Sequence, residues 1–480
     1  MKLSLIEEPL LEFGENNHVC PRAGITQFSV YDINLGDRRD KIYVGAVGTS
    51  DNLAKLSEWL ERCRKFIPGK IEARQPNLFP PFCGFNSSFG FKASLVHNER
   101  ITRSINNSEI SKIIKIRDRD KRVEEAVELY LTEVDFLFKH RNVDVVVCML
   151  PDELYEKITK EDERQEEETI GETDEEHEED VLETNFRRSL KAKAMNLKKA
   201  RPLQLLRELS LSVEDKSQQD EATKAWNFCT ALYYKASETV PWKLVTNVNR
   251  PAVCFVGIGF YRSRDQKVLN TSLAQIFDEL GNGVILRGKT PIKVTKDDRR
   301  PFLTESQAYE LLKDALAEYR VALDTIPGRL VLHKSSNFNE AEMAGFRAAT
   351  EEMHIGKADF VTVMDTDYRL LRKGIYPPYR GTQIEFDKFN HALYTRGSVE
   401  YYRTQTSKYV PQPLEIRIVE SAESPNVICQ EILSLTKMNW NNTQFDGKYP
   451  ITISCARKVG QIMKYLVGEL EPQINYSYYM

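Results

Sequence analysis

The run VDVVVCMLP at 143–151 narrows the fold more than any other stretch of this chain. Its apolar core is unbroken from Val145 to Leu150, has strand length, and is closed by Pro151. A strand buried on one face alternates in polarity, whereas a continuous apolar run belongs to a strand covered on both faces, as in parallel sheets. It follows VEEAVELYLTEVDFLFKH (123–140), whose apolar residues recur at helical spacing. A helix feeding a doubly covered strand points to an α/β fold. Further upstream, KIYVGAVGTS (41–50) reads as a strand and NLAKLSEWLERCRKFI (52–67) as an amphipathic helix. ARQPNLFPPFCGFNSSFGF (73–91) reads as an ordered loop packed by its aromatic rings.

Downstream, TNFRRSLKAKAMNLKKARPLQLL (184–206) reads as one helix with an apolar stripe of Leu190, Ala194 and Leu197. Ala222 to Ala236 reads as another helix. From Arg250 the texture changes. RPAVCFVGIGFYRSR, SLAQIFDEL and GVILRG suggest a meander of strands. Thr304-Glu305-Ser306-Gln307 has the pattern of a capping box opening a helix to about Leu323. GRLVLHKSS (328–336) and ADFVTVMDTD (358–367) read as strands, 339–353 as a helix, and ISCARKVGQIMKYLVGEL (453–470) as the last helix. A mixed sheet flanked by helices accounts for this order.

At 480 residues the chain needs more than one core, since a domain takes roughly 100–200 residues. The change of texture divides it into 1–245 and 246–480. No apolar run reaches the length of about 18 residues that a membrane span requires, and the first residues do not resemble a signal peptide. The eight cysteines are scattered without a C-x-x-C pair, as expected for reduced core thiols of a cytoplasmic protein. The net charge of −4 is a sum of unlike parts. Residues 161–180 hold thirteen Asp and Glu against one Arg, a charge of −12, so the remainder carries −4 + 12 = +8. That segment is expected to be a loop outside any core.

Arg187 and Lys191 lie four apart and share a helix face, which Lys198 continues. Gln204 follows thirteen residues after Lys191, and Lys235 ends the next helix. Cations and an amide donor meeting at one spot would suit a phosphate; spacing alone leaves a merely solvated basic face open. Asp365 and Asp367, at i and i+2 of a strand, could hold a divalent metal or serve only in a turn. His333 has no Cys or carboxylate at ligand spacing and reads as a core histidine. No nucleophile elbow or Walker loop appears, and VGIGF lacks the third glycine of a dinucleotide site.

The succession RPAVCFVGIGFYR, PGRLVLHKSSNFNEAE and LTKMNWNNTQFDGKYPITISCARKVGQIMKYL resembles the PIWI domain of Argonaute proteins. VDVVVCMLP, FRRSLKAKAM…RPLQLL and AWNFCTALYYKA resemble a MID domain, so the resemblance runs over roughly 143–480. EPLLEFG…PRAGI, with no PAZ-sized stretch, is similar to the short prokaryotic Argonautes built of MID and PIWI only. The resemblance implies a Rossmann-like MID domain followed by an RNase H-like PIWI domain. It implies a pocket for the guide 5′-phosphate in which Lys191, Gln204 and Lys235 match the motif, while Arg187 stands where the motif has an aromatic residue. A second register puts Lys193 in the lysine position and Ser189 in the aromatic one. The family also brings its C-terminal carboxylate, here that of Met480, to this pocket through Mg²⁺.

In active relatives, Asp residues stand where this chain has Gly259 and Ser335, and the segment ITISCARK offers no Asp or His at the last tetrad position. The resemblance therefore implies a PIWI domain that does not cut. Backbone contacts to nucleic acid are expected from Arg262, Lys334, Lys437, Asn439 and Asn441. Family partners are a guide RNA, a single-stranded DNA target and an effector chain with an APAZ region. That effector carries a TIR or sirtuin-like NAD-hydrolysing module, or a nuclease, and acts in defence against phage and plasmids. The contrasting expectation is a metal-dependent nuclease using Asp365 and Asp367. Residues 161–180 would shield the basic pocket when no guide is present.

Overall fold

The computed structural model describes residues 1–480 except 37, 74, 160–184, 212–218, 238, 246–250, 264–268, 278–282, 288–291, 293–300, 372, 374–376, 406–409 and 467–472. The acidic segment 161–180 and the shielding role expected of it lie outside the described residues. The chain opens with strand β1 (Lys2–Leu5) and helix α1 (Pro21–Phe28), which has proline in its first turn. Proline suits that position because its missing N–H has no intrahelical partner there.

The first sheet is parallel. It contains β2 (Lys41–Gly48), β3 (Ser94–Val96), β4 (Thr102–Ser104), β5 (Val145–Leu150) and β6 (Leu203–Arg207) in the order β3-β2-β5-β6, with β4 also against β2. All six residues of β5 are buried, as its unbroken apolar run requires. Helices α2 (Ser50–Cys63) and α3 (Arg119–His140) flank this sheet, each held at its start by an N-capping side chain, Thr49 and Asp118. Phe82, Phe85 and Phe91 of the 73–91 loop are buried, with Phe85 and Phe91 stacked at 4.6 Å, while Phe89 is exposed.

Residues 184–206 are not one helix. Helix α4 spans Phe186–Ala194, and the chain then turns through Lys199, whose φ is 60°, into β6. Pro202 cannot donate to a helical ladder and disfavours helical backbone at Arg201, so the alternative open to Leu203–Arg207 is pairing beside β5. Lys198 is thus exposed beyond the helix and does not extend its face. Helix α5 (Glu221–Ser237) closes this half.

The second sheet is mixed and has nine strands. After β1 it comprises β7 (Val253–Arg262), β8 (Leu269–Phe277), β9 (Gly283–Arg287), β10 (Arg329–Lys334), β11 (Ala358–Asp365), β12 (Thr382–Glu385), β13 (Asn390–Leu393) and β14 (Leu414–Glu420). Their order is β1-β12-β13-β14-β11-β10-β7-β8-β9. The β7–β9 stretch is the antiparallel meander expected, while β7, β10 and β11 run parallel. Helices α6 (Glu305–Leu323) and α7 (Glu340–Glu352) cover one face, and both open with a capping box. Helix α8 (Pro425–Leu435) precedes α9 (Ile451–Met463), which lies against the other face. A Cβ on Gly257 would stand 2.1 Å from the Thr452 carbonyl oxygen, so only glycine admits α9 this close to β7. Helix α9 ends at Met463 rather than near 470.

The N-terminal segment ties the halves together. β1 pairs antiparallel with β12, and Leu11–Glu12 pairs with Lys243–Leu244. All eight cysteines are buried, and none forms a disulfide. Among the described residues no helix is long and apolar enough to cross a membrane.

Candidate functional site

Three elements converge at one end of the first sheet. Asn185 caps α4, its side chain accepting from the Arg188 N–H at 3.0 Å, and this places Arg187 and Lys191 on the helix flank. Lys191 is only 3% exposed, and its Nζ donates to the main-chain oxygen of Met480. Gln204 arrives on β6 and Lys235 on the last turn of α5; the Lys235 Nζ donates to the Gln204 Oε1. Lys235 is 2% exposed. Burial, reinforced by the charge of Arg187, holds its ammonium well below the ordinary lysine range.

The final residues are docked onto this cluster. The Tyr478 hydroxyl donates to the Ala200 carbonyl at 2.9 Å, and the Gln473 amide to the Met195 carbonyl at 2.8 Å. The structure therefore brings Arg187, Lys191, Gln204, Lys235 and Met480 together from α4, β6, α5 and the C-terminal segment. Gln204 reaches it from a strand, not from the helix expected to carry it. Lys193 points outward to Glu128 on α3.

Two of the expected backbone contacts are internal. Lys334 has no exposed side-chain surface; its Nζ donates to both Glu342 oxygens at 2.7 Å and lies about 5 Å from the rings of Phe260, Phe302 and Phe338. Alternation along β10 sends Lys334 to the α6–α7 face and His333 to the α9 face. Lys437 is likewise enclosed. Its Nζ pairs with Glu8 at 2.7 Å and donates to the carbonyls of Pro9 and Val19, and burial pulls its pKa down to about 8. The N-terminal segment, which spacing does not relate to Lys437, occupies that ammonium. Arg262 is half-buried at the end of β7.

Asn439 and Asn441 are half-buried, and the Asn439 side chain accepts from the Asn441 N–H at 3.1 Å. Asn439 lines a shallow open cleft together with Asn442, Gln444, Ser454 and Lys458. Sequence reasoning missed these last four; the amide-rich run NWNNTQ was the signal available for Asn442 and Gln444, and nothing comparable marks Ser454 or Lys458.

The register pairs Gly257 with His333 and Ile258 with Lys334 on parallel strands. One step further stand Gly259 and Ser335, at matching heights on neighbouring strands. Asp365 accepts from the Tyr449 hydroxyl at 2.7 Å and pairs with Lys448 at 3.0 Å, while Asp367 is exposed. Among the described residues no group of three or more His, Cys, Asp or Glu is arranged to hold a metal ion.

No protein-family model and no curated protein sequence matches the chain. Solved structures do. Clostridium butyricum Argonaute bound to a guide DNA and a 19-mer target DNA superposes with a TM-score of 0.65 at 14% identity, over 97% of this chain and 53% of that one. A. aeolicus Argonaute superposes at 0.60 with 15% identity, over 100% and 56%. Drosophila Piwi gives 0.56 with 13% identity, over 99% and 56%. The chain thus spans little more than half the length of the structures it matches. Nearly every residue is accounted for, and the chain has the α/β fold of Argonaute MID and PIWI domains.

Proposed function

We propose that this chain holds the 5′-phosphorylated end of a guide strand and recognises a paired target without cutting it. The observation that carries the reading is the convergence of the buried Lys191 and Lys235 with the half-buried Arg187 and Gln204. Lys191 meets an oxygen of the terminal residue Met480, whereas Lys235 meets the neutral amide oxygen of Gln204, so a phosphate would bring Lys235 the anionic charge that this amide does not supply. Protein contacts to the backbone would position the strands while base pairing reads the sequence. Asn439, Asn441, Asn442, Gln444 and Lys458 offer donors for that role.

Gly259 and Ser335 support the absence of cutting. They occupy the places the resemblance assigns to metal-binding aspartates, and neither can ligate a cation as a carboxylate does. Lys448 and Tyr449 already engage Asp365, which weighs against a nuclease built on Asp365 and Asp367. Among the described residues no cluster of carboxylates or histidines is arranged around the Mg²⁺ expected beside Met480. The nearby oxygens of Met480 and Gln204 each accept from a lysine, so phosphate oxygens would have to supply most of its ligands. In this reading the guide is RNA and the target single-stranded DNA. Enzymatic activity then resides in an associated APAZ effector, a TIR or sirtuin-like NADase or a nuclease, of a prokaryotic defence system.

Binding of 5′-phosphorylated and 5′-hydroxyl guides tests the pocket. Lys191→Ala should weaken the phosphorylated guide about tenfold or more and leave the hydroxyl guide unchanged. A cleavage assay with Mg²⁺ or Mn²⁺ tests the rest: target cutting that is lost in Asp365→Ala would establish the nuclease instead.

A further inference from the structure

A second nucleic-acid contact stands away from the pocket. Ser398–Val399 and Thr404–Gln405 form a short hairpin, with Tyr401 in its turn and Arg403 at a φ of 55°. Tyr401 is 46% exposed, an unusual position for a ring that three others hold in place. His18 meets it edge-on at 5.3 Å and 87°, Tyr402 lies at 5.0 Å and 70°, and Phe445 is parallel within 3° at 6.3 Å. Those supports are themselves fixed. The His18 Nδ1 accepts from the Cys20 N–H at 2.9 Å, the Tyr402 hydroxyl meets the Cys20 Sγ at 3.1 Å, and Lys437 lies 4.2 Å from the Phe445 ring centre.

We propose that the exposed face of Tyr401 is a stacking platform for a base of a single-stranded nucleic acid. The ring is ordered before binding, so little rotamer freedom is lost when a base covers it. Its surroundings suit a polyanion: Arg403 is exposed in the same turn, and Arg22, bonded to Thr443 at 2.8 Å, brings a second positive charge close to Tyr402, with Glu400 as the one acid of the turn. The platform is also within reach of the same strand. Thr443, two residues before Phe445, bonds to Asn227 on α5, and Lys235 follows eight residues later, about 12 Å along the helix axis. The proposal rests on the nucleic-acid reading above and extends it to a residue outside the phosphate pocket.

Binding of 5′-phosphorylated single strands to the full chain, measured by fluorescence anisotropy, tests it. Tyr401→Ala should lose about 5- to 150-fold in affinity, while Tyr401→Phe, which keeps the ring, stays near native. An abasic position scanned along the oligonucleotide should abolish the difference between native and Tyr401→Ala protein at one location. Native affinity of Tyr401→Ala for every length and every abasic strand overturns the proposal. So does an unchanged affinity accompanied by loss of a co-purifying protein, which would make Tyr401 a protein contact. Lys191→Ala reports separately: a normal preference for the 5′-phosphate in that variant, together with a Tyr401→Ala loss, sinks the pocket and keeps the platform.

Discussion

The ammonium of Lys235 rests against the amide oxygen of Gln204, buried and beside the guanidinium of Arg187. A lysine so placed has lost its water and has a neutral partner, which favours the uncharged amine.

Proton uptake on phosphate binding follows. A phosphate offsets the charge of Arg187 and gives the buried amine an anionic partner, both of which favour its protonated form, so binding should draw a proton onto Lys235. Affinity should therefore fall as pH rises from the lowered pKa of the free pocket towards the ordinary lysine range. Calorimetry near pH 8, where a phosphate monoester is already a dianion, in buffers of different ionisation enthalpy should show net proton uptake. Lys235→Arg, which stays protonated, should abolish that uptake; uptake persisting in this variant would assign the proton elsewhere.

Burial of His333 should make the fold around the second sheet acid-sensitive. Its Nδ1 meets the Thr452 hydroxyl at 2.9 Å, its Nε2 is buried without a partner, and burial lowers its pKa from 6.5 to about 3. Between those values the unfolded chain holds a proton that the folded one does not. The stabilisation is thus complete above pH 6.5 and declines by up to about 1.4 kcal/mol per pH unit on acidification. Urea unfolding from pH 7 to pH 5 should show this slope in the native chain and a shallower one in His333→Gln.

Glu8 neutralises two cations at once. It pairs with Lys437 at 2.7 Å and Arg380 at 3.1 Å, and neither of those side chains has any exposed surface. Burial alone would raise the Glu8 pKa, but Arg380 and Lys437 together hold it below the ordinary value. Glu8→Ala would leave both charges buried and uncompensated, at a cost of about 3–5 kcal/mol in unfolding free energy. A lower urea midpoint with an unchanged m-value is the expected result; an unchanged midpoint would refute the triad's structural weight.

Local patterns announced most of the secondary structure. Unbroken β5 is buried along its whole length, and the Thr304–Gln307 pattern forms the capping box that opens α6. These depend on neighbours within a few residues, which sequence displays directly. The segment 184–206 failed because its charged and apolar residues fit a helix until Pro202, and the partner that makes Leu203–Arg207 a strand is β5, about fifty residues earlier.

Charge identity was legible and charge location was not. The sequence by itself determined that the chain is α/β, that its thiols lie in the core, and that Arg187, Lys191, Gln204 and Lys235 are available to meet an anion. Only the tertiary structure decided which lysines remain near that pocket. It turned Lys334 towards Glu342 and enclosed Lys437 with Glu8, while α4, β6, α5 and the segment ending at Met480 converged. A side chain's availability depends on which distant carboxylate or carbonyl packing brings to it, and that follows from three-dimensional approach rather than from spacing along the chain.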